Sequence, residues 1–309
     1  MKISAIEIGT NSTKFAIAQL RKDNKFSIVK KSSTINRLSK DMYKDNYISK
    51  DAIESGIKII GEYIEESKKD KINLVSIFST SVLRDAENRE EFSQKIKKLY
   101  GMDIEILSGE KEAQYSFIAC RNLMVNAESP CMVIDIGGGS TEVIIGNKNK
   151  IVQKLSLDIG AVRMSELYIK TDPIPQRDIE TIITKTKNEF INLGVKCADK
   201  VQLIGTGGSI KSIGTLFSDV GYKEEKAIHG VRVSKTMVET IYKMLSVLPI
   251  DERRKLKGLS PKRADTIIPG VLILLSAMEA SGAEEITISS MGVIEGFLAY
   301  YLFNKYIKK

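Results

Sequence analysis

"VIDIGGGSTEVIIG", residues 133–146, decides the fold. An apolar strand ends on an acidic residue, three glycines and two hydroxyls follow, and a second apolar strand begins at once. Glycine lets such a turn bring its backbone N–H groups close to a ligand, and N–H groups pointing one way form an anion-binding concavity. Taken alone, the stretch also reads as a plain tight hairpin. An earlier stretch changes the odds. "IEIGTNSTKFAIA" from Ile6 aligns with "IDIGGGSTEVIIG" from Ile134 at a constant offset of 128 residues. Ile6/Ile134, Ile8/Ile136, Gly9/Gly137, Ser12/Ser140, Thr13/Thr141 and Ile17/Ile145 are identical pairs, and Glu7 stands opposite Asp135. Two copies, each at the head of a domain-sized segment, predict a duplicated α/β domain rather than a solenoid. Two such lobes facing one another would put both turns on opposite walls of one cleft.

The remaining pattern fits that duplication. Short strands are expected at 3–8, 15–20 and 26–30, the last two separated by a Lys/Asp/Asn turn. Ile53, Ile57, Ile60 and Ile64 recur at helical spacing behind Ser49 as N-cap. A strand at 73–79, a helix at 88–99, a strand at 103–107 and a helix from Gly109 follow. The second half restarts with strands at 131–136, 142–146 and 150–157 and helices at 161–169 and 176–193. A strand at 201–204, helices at 234–247 and 260–281, a strand at 285–289 and a helix at 291–307 complete it.

A chain of 309 residues exceeds what one core usually serves. Its 42% hydrophobic and 28% charged residues place it among ordinary globular chains. "GVLILLSAMEA" at 270–280 is too short to span a bilayer, and "MKISAIEIGT" lacks the pattern of a secretory signal. Cys120, Cys131 and Cys197 are odd in number and scattered. These features predict a reduced, cytoplasmic protein without a membrane partner. The net charge of +8 suits an anionic partner. With no Trp and no alternation of basic and aromatic residues, nucleic acid is not expected. "ERRKLKGLSPKR" at 252–263 is a candidate anion-facing rim.

Four features carry chemistry. Ser140 and Thr141 add hydroxyl donors to the second turn, and Asp135 ends an apolar strand, where a carboxylate could hold a hard cation such as Mg²⁺. A third glycine turn, "LIGTGGSIKSIG" at 203–214, again follows an apolar strand and precedes a helix, the setting of a phosphate contact by Gly207, Gly208 and Ser209. In "SGEKEAQYSF" at 108–117, Glu110 and Glu112 are candidates to activate water, while Gly109 with Glu112 also resembles a capping arrangement. Arg84 follows a strand, a position from which a guanidinium can clamp phosphate; a surface pair with Asp85 or Glu87 is the competing reading. The single histidine, His229, leaves no Ser-His-Asp set and no HExxH site, and it reads as structural.

Together with "NRLSKD" at 36–41, "STSVLRDAENREEF" at 79–92, "ILSGEKEAQYSFIA" at 106–119, "LDIGAVRMSELYI" at 157–169 and "SPKRADTIIPGVLILLSAMEA" at 260–280, these stretches resemble the exopolyphosphatase/guanosine pentaphosphate phosphohydrolase (Ppx/GppA) family of the actin-like ATPase superfamily. The resemblance covers essentially the whole chain, in the short form without the C-terminal helical module of longer members. It implies two ribonuclease-H-like lobes with mixed five-stranded sheets flanked by helices and the active site between them. The expected bounds are 1–123 plus 294–309 for one lobe and 124–293 for the other. By the same resemblance Thr10, Asn11 and Ser12, and Gly137, Gly138, Gly139, Ser140 and Thr141, form two phosphate loops. Lys14 and Arg84 bind phosphates, Asp135 and Glu142 hold metal or position water, and Glu112 is the base, with Glu110 as fallback and Glu142 as partner across the attacking water. The family's first turn normally opens with Asp; here it is Glu7, one methylene longer. The implied activity is Mg²⁺-dependent (or Mn²⁺-dependent) release of terminal orthophosphate from polyphosphate, with lobe closure excluding water. Guanosine pentaphosphate hydrolysis, a non-hydrolytic sensor of polyphosphate or alarmone, and an actin-like kinase are the rivals. A homodimer is a further expectation.

Overall fold

Three antiparallel strands open the chain: β1 (Lys2–Ile8), β2 (Ser12–Leu20) and β3 (Phe26–Ile35) in a computed structural model that describes residues 1–21, 26–192 and 201–307. The Lys/Asp/Asn turn after β2, the last residue of the helix expected at 176–193, and Cys197 lie outside the described residues. Residues of alternate parity take opposite faces of a strand. Ile3 and Ala5 on β1, with Ala16 and Ala18 on β2, therefore share one buried face. Glu7 and Lys14 continue that face and stand opposite each other in the β1–β2 register.

Ser49 caps α1 (Lys50–Lys69) through its hydroxyl, which accepts from the Ala52 N–H, and Ile53, Ile57, Ile60 and Ile64 are all buried. Strand β4 (Asn73–Ser79) then enters parallel to β1 and leads straight into the short helix α2 (Ser81–Asp85). Helix α3 (Arg89–Tyr100), strand β5 (Ile104–Ile106) and helix α4 (Gly109–Cys120) follow, giving a five-stranded mixed sheet in the order β3-β2-β1-β4-β5.

The second sheet begins with β6 (Cys131–Ile136), β7 (Thr141–Gly146) and β8 (Ile151–Leu157), again antiparallel. Helices α5 (Ala161–Tyr168) and α6 (Gln176–Asn192) lead to β9 (Gln202–Gly207), parallel to β6, and then to α7 (Gly208–Phe217). After β10 (Arg232–Ser234) come α8 (Lys235–Val247), α9 (Ile250–Arg253), α10 (Ile267–Ser281) and β11 (Glu285–Ile288). This sheet has six strands, in the order β10-β11-β9-β6-β7-β8, not the five expected. The extra strand is three residues long and exists through its antiparallel pairing with β11. The helix expected over 260–281 starts only at Ile267; a short turn at Pro261–Arg263 precedes it. Met132, Ile134 and Ile136 pack with α5, α6, α7, α8 and α10 in one core. Asp135 and Glu142 lie on the opposite face of the sheet.

Helix α11 (Val293–Leu302) contributes Val293, Ile294, Phe297, Leu298 and Leu302 to the core of the first sheet. The chain divides into two compact units: Met1–Ile118 with the segment from Val293 onward, and Ala119–Gly292. Among the described residues no helix is long and apolar enough to cross a membrane. Cys120 and Cys131 are buried free thiols.

Candidate functional site

Both glycine hairpins are closed in the same way. The Gly9 N–H donates to Ser12 O and the Gly137 N–H to Ser140 O, each at 3.0 Å. The aligned positions of the sequence are thus aligned in hydrogen bonding as well.

What holds each turn from behind fixes what it presents in front. A trans peptide unit points its C=O and the following N–H in opposite directions. In the second turn, Gly137 O accepts from the Ala161 N–H (3.0 Å) and Gly138 O from the N–H groups of Val162 (2.8 Å) and Arg163 (3.0 Å). Gly139 O accepts from the Arg163 side chain through Nε, at 2.7 Å. With these carbonyls turned towards the start of α5, the N–H groups of Gly138, Gly139 and Ser140 face the other way. Those of Gly138 and Gly139 have no acceptor among the described residues. Gly160 must be glycine, because a Cβ there would run into the Gly138 carbonyl. The first turn is held by the loop after β3: Thr10 O accepts from the Ser39 N–H (3.3 Å), and Asn11 O from those of Asn36 (3.2 Å) and Arg37 (3.1 Å). The Asn11 and Ser12 N–H groups therefore face forward, and Asn11 Nδ2 is buried with no acceptor.

Not every predicted donor is disposed towards a ligand. The Thr141 hydroxyl, fully buried, donates to Ile159 O at 2.6 Å. Thr10 Oγ1 lies 3.0 Å from Ser81 Oγ at the start of α2. Backbone amides, rather than these hydroxyls, are what the turns offer. Lys14 Nζ is 2.6 Å from Glu7 Oε1, while Glu7 Oε2 is buried without a partner. The extra methylene of Glu7 is thus used to reach a lysine across the strand.

The carboxylates of the second unit are arranged differently. Asp135 and Glu142 are direct cross-strand partners on β6 and β7, so their side chains stand ~5 Å apart on one face. Both are buried, and Glu142 Oε1 accepts from Ser156 Oγ on β8 at 2.8 Å. Among the described residues no three His, Cys, Asp or Glu come together as a metal cage. Two carboxylates suit Mg²⁺, which commonly takes one or two from protein and completes its shell with water and substrate phosphate.

In the first unit the two candidate bases separate. Glu112 is buried, 5% exposed, whereas Glu110 is exposed in the first turn of α4. Arg84 on α2 donates through Nη1 to Glu112 Oε2 (3.1 Å) and to Leu107 O (3.0 Å). The cap of α4 is Ser108 and not Gly109: its hydroxyl accepts from the Lys111 N–H and its carbonyl from the Glu112 N–H.

At the third turn, Gly207 has φ +96, and a Cβ there would meet Asp135 Oδ1 at 2.8 Å, so the turn is packed directly behind the acid of β6. The Ser209 hydroxyl is buried against Gly270 on α10. Arg263, which the sequence places only within a basic run, lays its guanidinium against Gly208 at the start of α7. Burial lowers its pKa, and Glu225 and Asp265 offset part of that. Neither spacing nor charge pattern marks this approach; only the fold brings it about. His229 accepts from the Ser290 N–H through Nδ1 (3.3 Å), a structural role.

Comparison with known proteins places this geometry in context. The model of the Ppx/GppA phosphatase family matches residues 16–304. A bifunctional 3-dehydroquinate synthase/phosphatase of Fusobacterium nucleatum is 29% identical over 314 residues, covering 98% of this chain but 47% of that protein. The chain therefore spans about half that relative's length. Exopolyphosphatase 2 of Mycobacterium tuberculosis is 25% identical over 309 residues, covering 96% of this chain and 97% of that protein. Among solved structures, the Ppx/GppA family member of Aquifex aeolicus superimposes with a TM-score of 0.84 at 26% identity, over 99% of both chains. An exopolyphosphatase-like protein does so with a TM-score of 0.91 at 25% identity, over 98% of this chain and 99% of that one.

Proposed function

Because the chain belongs to the Ppx/GppA phosphatase family, we propose that it is an exopolyphosphatase, hydrolysing the terminal phosphoanhydride bond of linear inorganic polyphosphate with Mg²⁺ or Mn²⁺. The observation that carries this reading is the second hairpin, whose three glycine carbonyls are drawn back to α5 while the amides that follow them face outward beside two buried carboxylates. Amides so fixed donate to a phosphoryl group without reorganising, which is where preorganised donors gain most.

Each residue then has a task. The N–H groups of Gly138, Gly139 and Ser140 hold oxygens of the terminal phosphoryl group. Asp135 and Glu142 would hold the divalent cation, which when bound supplies charge neutralisation at the phosphoryl oxygens. Glu112 takes a proton from water as that water's oxygen attacks phosphorus and the bond to the bridging oxygen breaks. Arg84, hydrogen-bonded to Glu112 Oε2, orients that carboxylate for the transfer. The first hairpin and Lys14 bind further phosphates along the chain, in a protein whose charge of +8 favours polyanions.

The test is phosphate release from long-chain polyphosphate, guanosine pentaphosphate and ATP by purified protein with and without Mg²⁺. Polyphosphate is expected to be the best substrate, with release lost on chelation. Glu112→Gln should lower kcat by about 10²–10⁴-fold, the usual contribution of a positioned base. Glu110→Gln, on an exposed side chain, should leave it within about twofold, since exposed substitutions usually change little. Binding without release from any substrate would make the protein a sensor, and faster release from guanosine pentaphosphate would reassign the substrate.

A further inference from the structure

"LDIGAVRMSELYI" is part of the resemblance, yet no residue in it has a role in the reaction above. Gly160 is explained by close packing. Arg163 is not, and its side chain reaches back to the glycine turn. It donates from Nε to a backbone carbonyl of the glycine turn, Gly139 O, at 2.7 Å, while its own N–H serves Gly138 O. Its Nη2 lies 3.5 Å from Asp158, whose carboxylate is largely exposed, and the Arg163 side chain is itself 15% exposed.

The peptide plane between Gly139 and Ser140 explains the consequence. Fixing Gly139 O towards Arg163 fixes the Ser140 N–H in the opposite direction. The two preceding planes are fixed by backbone donors from α5. The equivalent plane in the first hairpin, at Asn11, is fixed by two backbone N–H groups. The Gly139–Ser140 plane alone among these is held by a side chain, and glycine at 139 gives it no steric guidance of its own.

We propose that Arg163 is a positioning residue that aims the Ser140 N–H at the ligand of the second glycine turn. It acts through the Gly139 carbonyl and does not itself touch the reacting atoms. The proposal rests on the phosphate-site reading given above, and it makes a statement about one peptide plane that can be observed whether or not the protein is active.

The experiment compares wild type, Arg163→Met and Arg163→Lys, following the backbone amides of residues 138–140 by NMR with and without tripolyphosphate, alongside phosphate release. In the Met variant the Ser140 amide should move in the free protein and lose its response to tripolyphosphate, while the Gly138 amide, held by backbone, keeps its response. The kcat/KM should fall by about tenfold or more, as for loss of one charge-assisted hydrogen bond. Methylguanidinium in solution should restore part of that loss in the Met variant, and ammonium should not, since a planar donor is required. If the Met variant fails to fold, the Lys variant serves: its single point donor should leave the Ser140 amide displaced. An unmoved Ser140 amide, or Gly138 and Ser140 disturbed alike, overturns the proposal. Should tripolyphosphate shift no amide even in wild type, the phosphate reading fails, while the free-state position of the Ser140 amide still decides the role of Arg163.

Discussion

The two glycine hairpins share a sequence pattern, a closing hydrogen bond and a register, and they differ in charge. In the first, the acid of the leading strand faces a lysine: Glu7 and Lys14 form a 2.6 Å ion pair. In the second, the acid faces another acid, Asp135 opposite Glu142. Like charges directly opposite on neighbouring strands disfavour the folded sheet, whereas opposite charges in that position support it, so the cross-strand pair stabilises the first hairpin and not the second. The difference teaches which copy does what. A hairpin whose acid faces a lysine is suited to gripping an anion, whereas one whose acid faces a second acid is suited to a cation arriving with its phosphoryl group.

The largest effect that would break this contrast is on activity. Asp135→Asn should lower phosphate release by about 100-fold or more while leaving stability unchanged or raising it by up to ~1 kcal/mol, because one of two like charges is gone. Steady-state release across a Mg²⁺ titration, together with urea unfolding, checks both halves; a variant that is active, or clearly less stable, contradicts the assignment. Gly160→Ala comes next. Its Cβ would press on the Gly138 carbonyl and should cost about 3 kcal/mol in urea unfolding, at the upper end for overpacking. A smaller cost would show that the rear support of the second turn is soft. Lys14→Met should cost about 2 kcal/mol, below the figure for a fully buried broken pair because the Lys14 side chain is 25% exposed. Thermal or urea unfolding would show it, and a neutral result would mean that Glu7 does not depend on Lys14 as its counter-charge.

The smallest effect concerns the far end of β6. Burial pushes the Cys131 thiol up to about 11, so it stays protonated and unreactive at neutral pH. Iodoacetamide should label it only on unfolding or above roughly pH 10, where the thiolate begins to form. Rapid labelling of the native protein at pH 7 would mean that this end of the strand opens readily.

Much of this was legible in the sequence because it is local. The hairpins announce themselves through alternation and glycine, and α1 through four isoleucines and a serine cap. Strand β10 was not legible, since three residues carry no pattern and acquire strand geometry only by pairing with β11, far along the chain. Glu110 and Glu112 look alike as letters; burial and Arg84 separate them, and both are tertiary facts. The same holds for Thr141, whose hydroxyl looks like a ligand donor until Ile159 O takes it. Arg263 was visible only as one charge in a basic run, and its approach to Gly208 depends on how α10 is led in.

Helix α11 has a consequence for the order in which the protein matures. Phe297 packs tilted against Phe78 and edge-on to Tyr115, and Leu298 and Leu302 complete the same core, so the first sheet is finished by residues made after the whole middle of the chain. The middle of the chain, Ala119–Gly292, is one continuous segment and waits for nothing beyond it. On a ribosome the earlier-made sheet must therefore wait with an apolar face uncovered while the later-made one closes, reversing the usual N-to-C sequence of domain folding. A nascent chain arrested before Val293 would expose that face, and it is there that a chaperone would find its target.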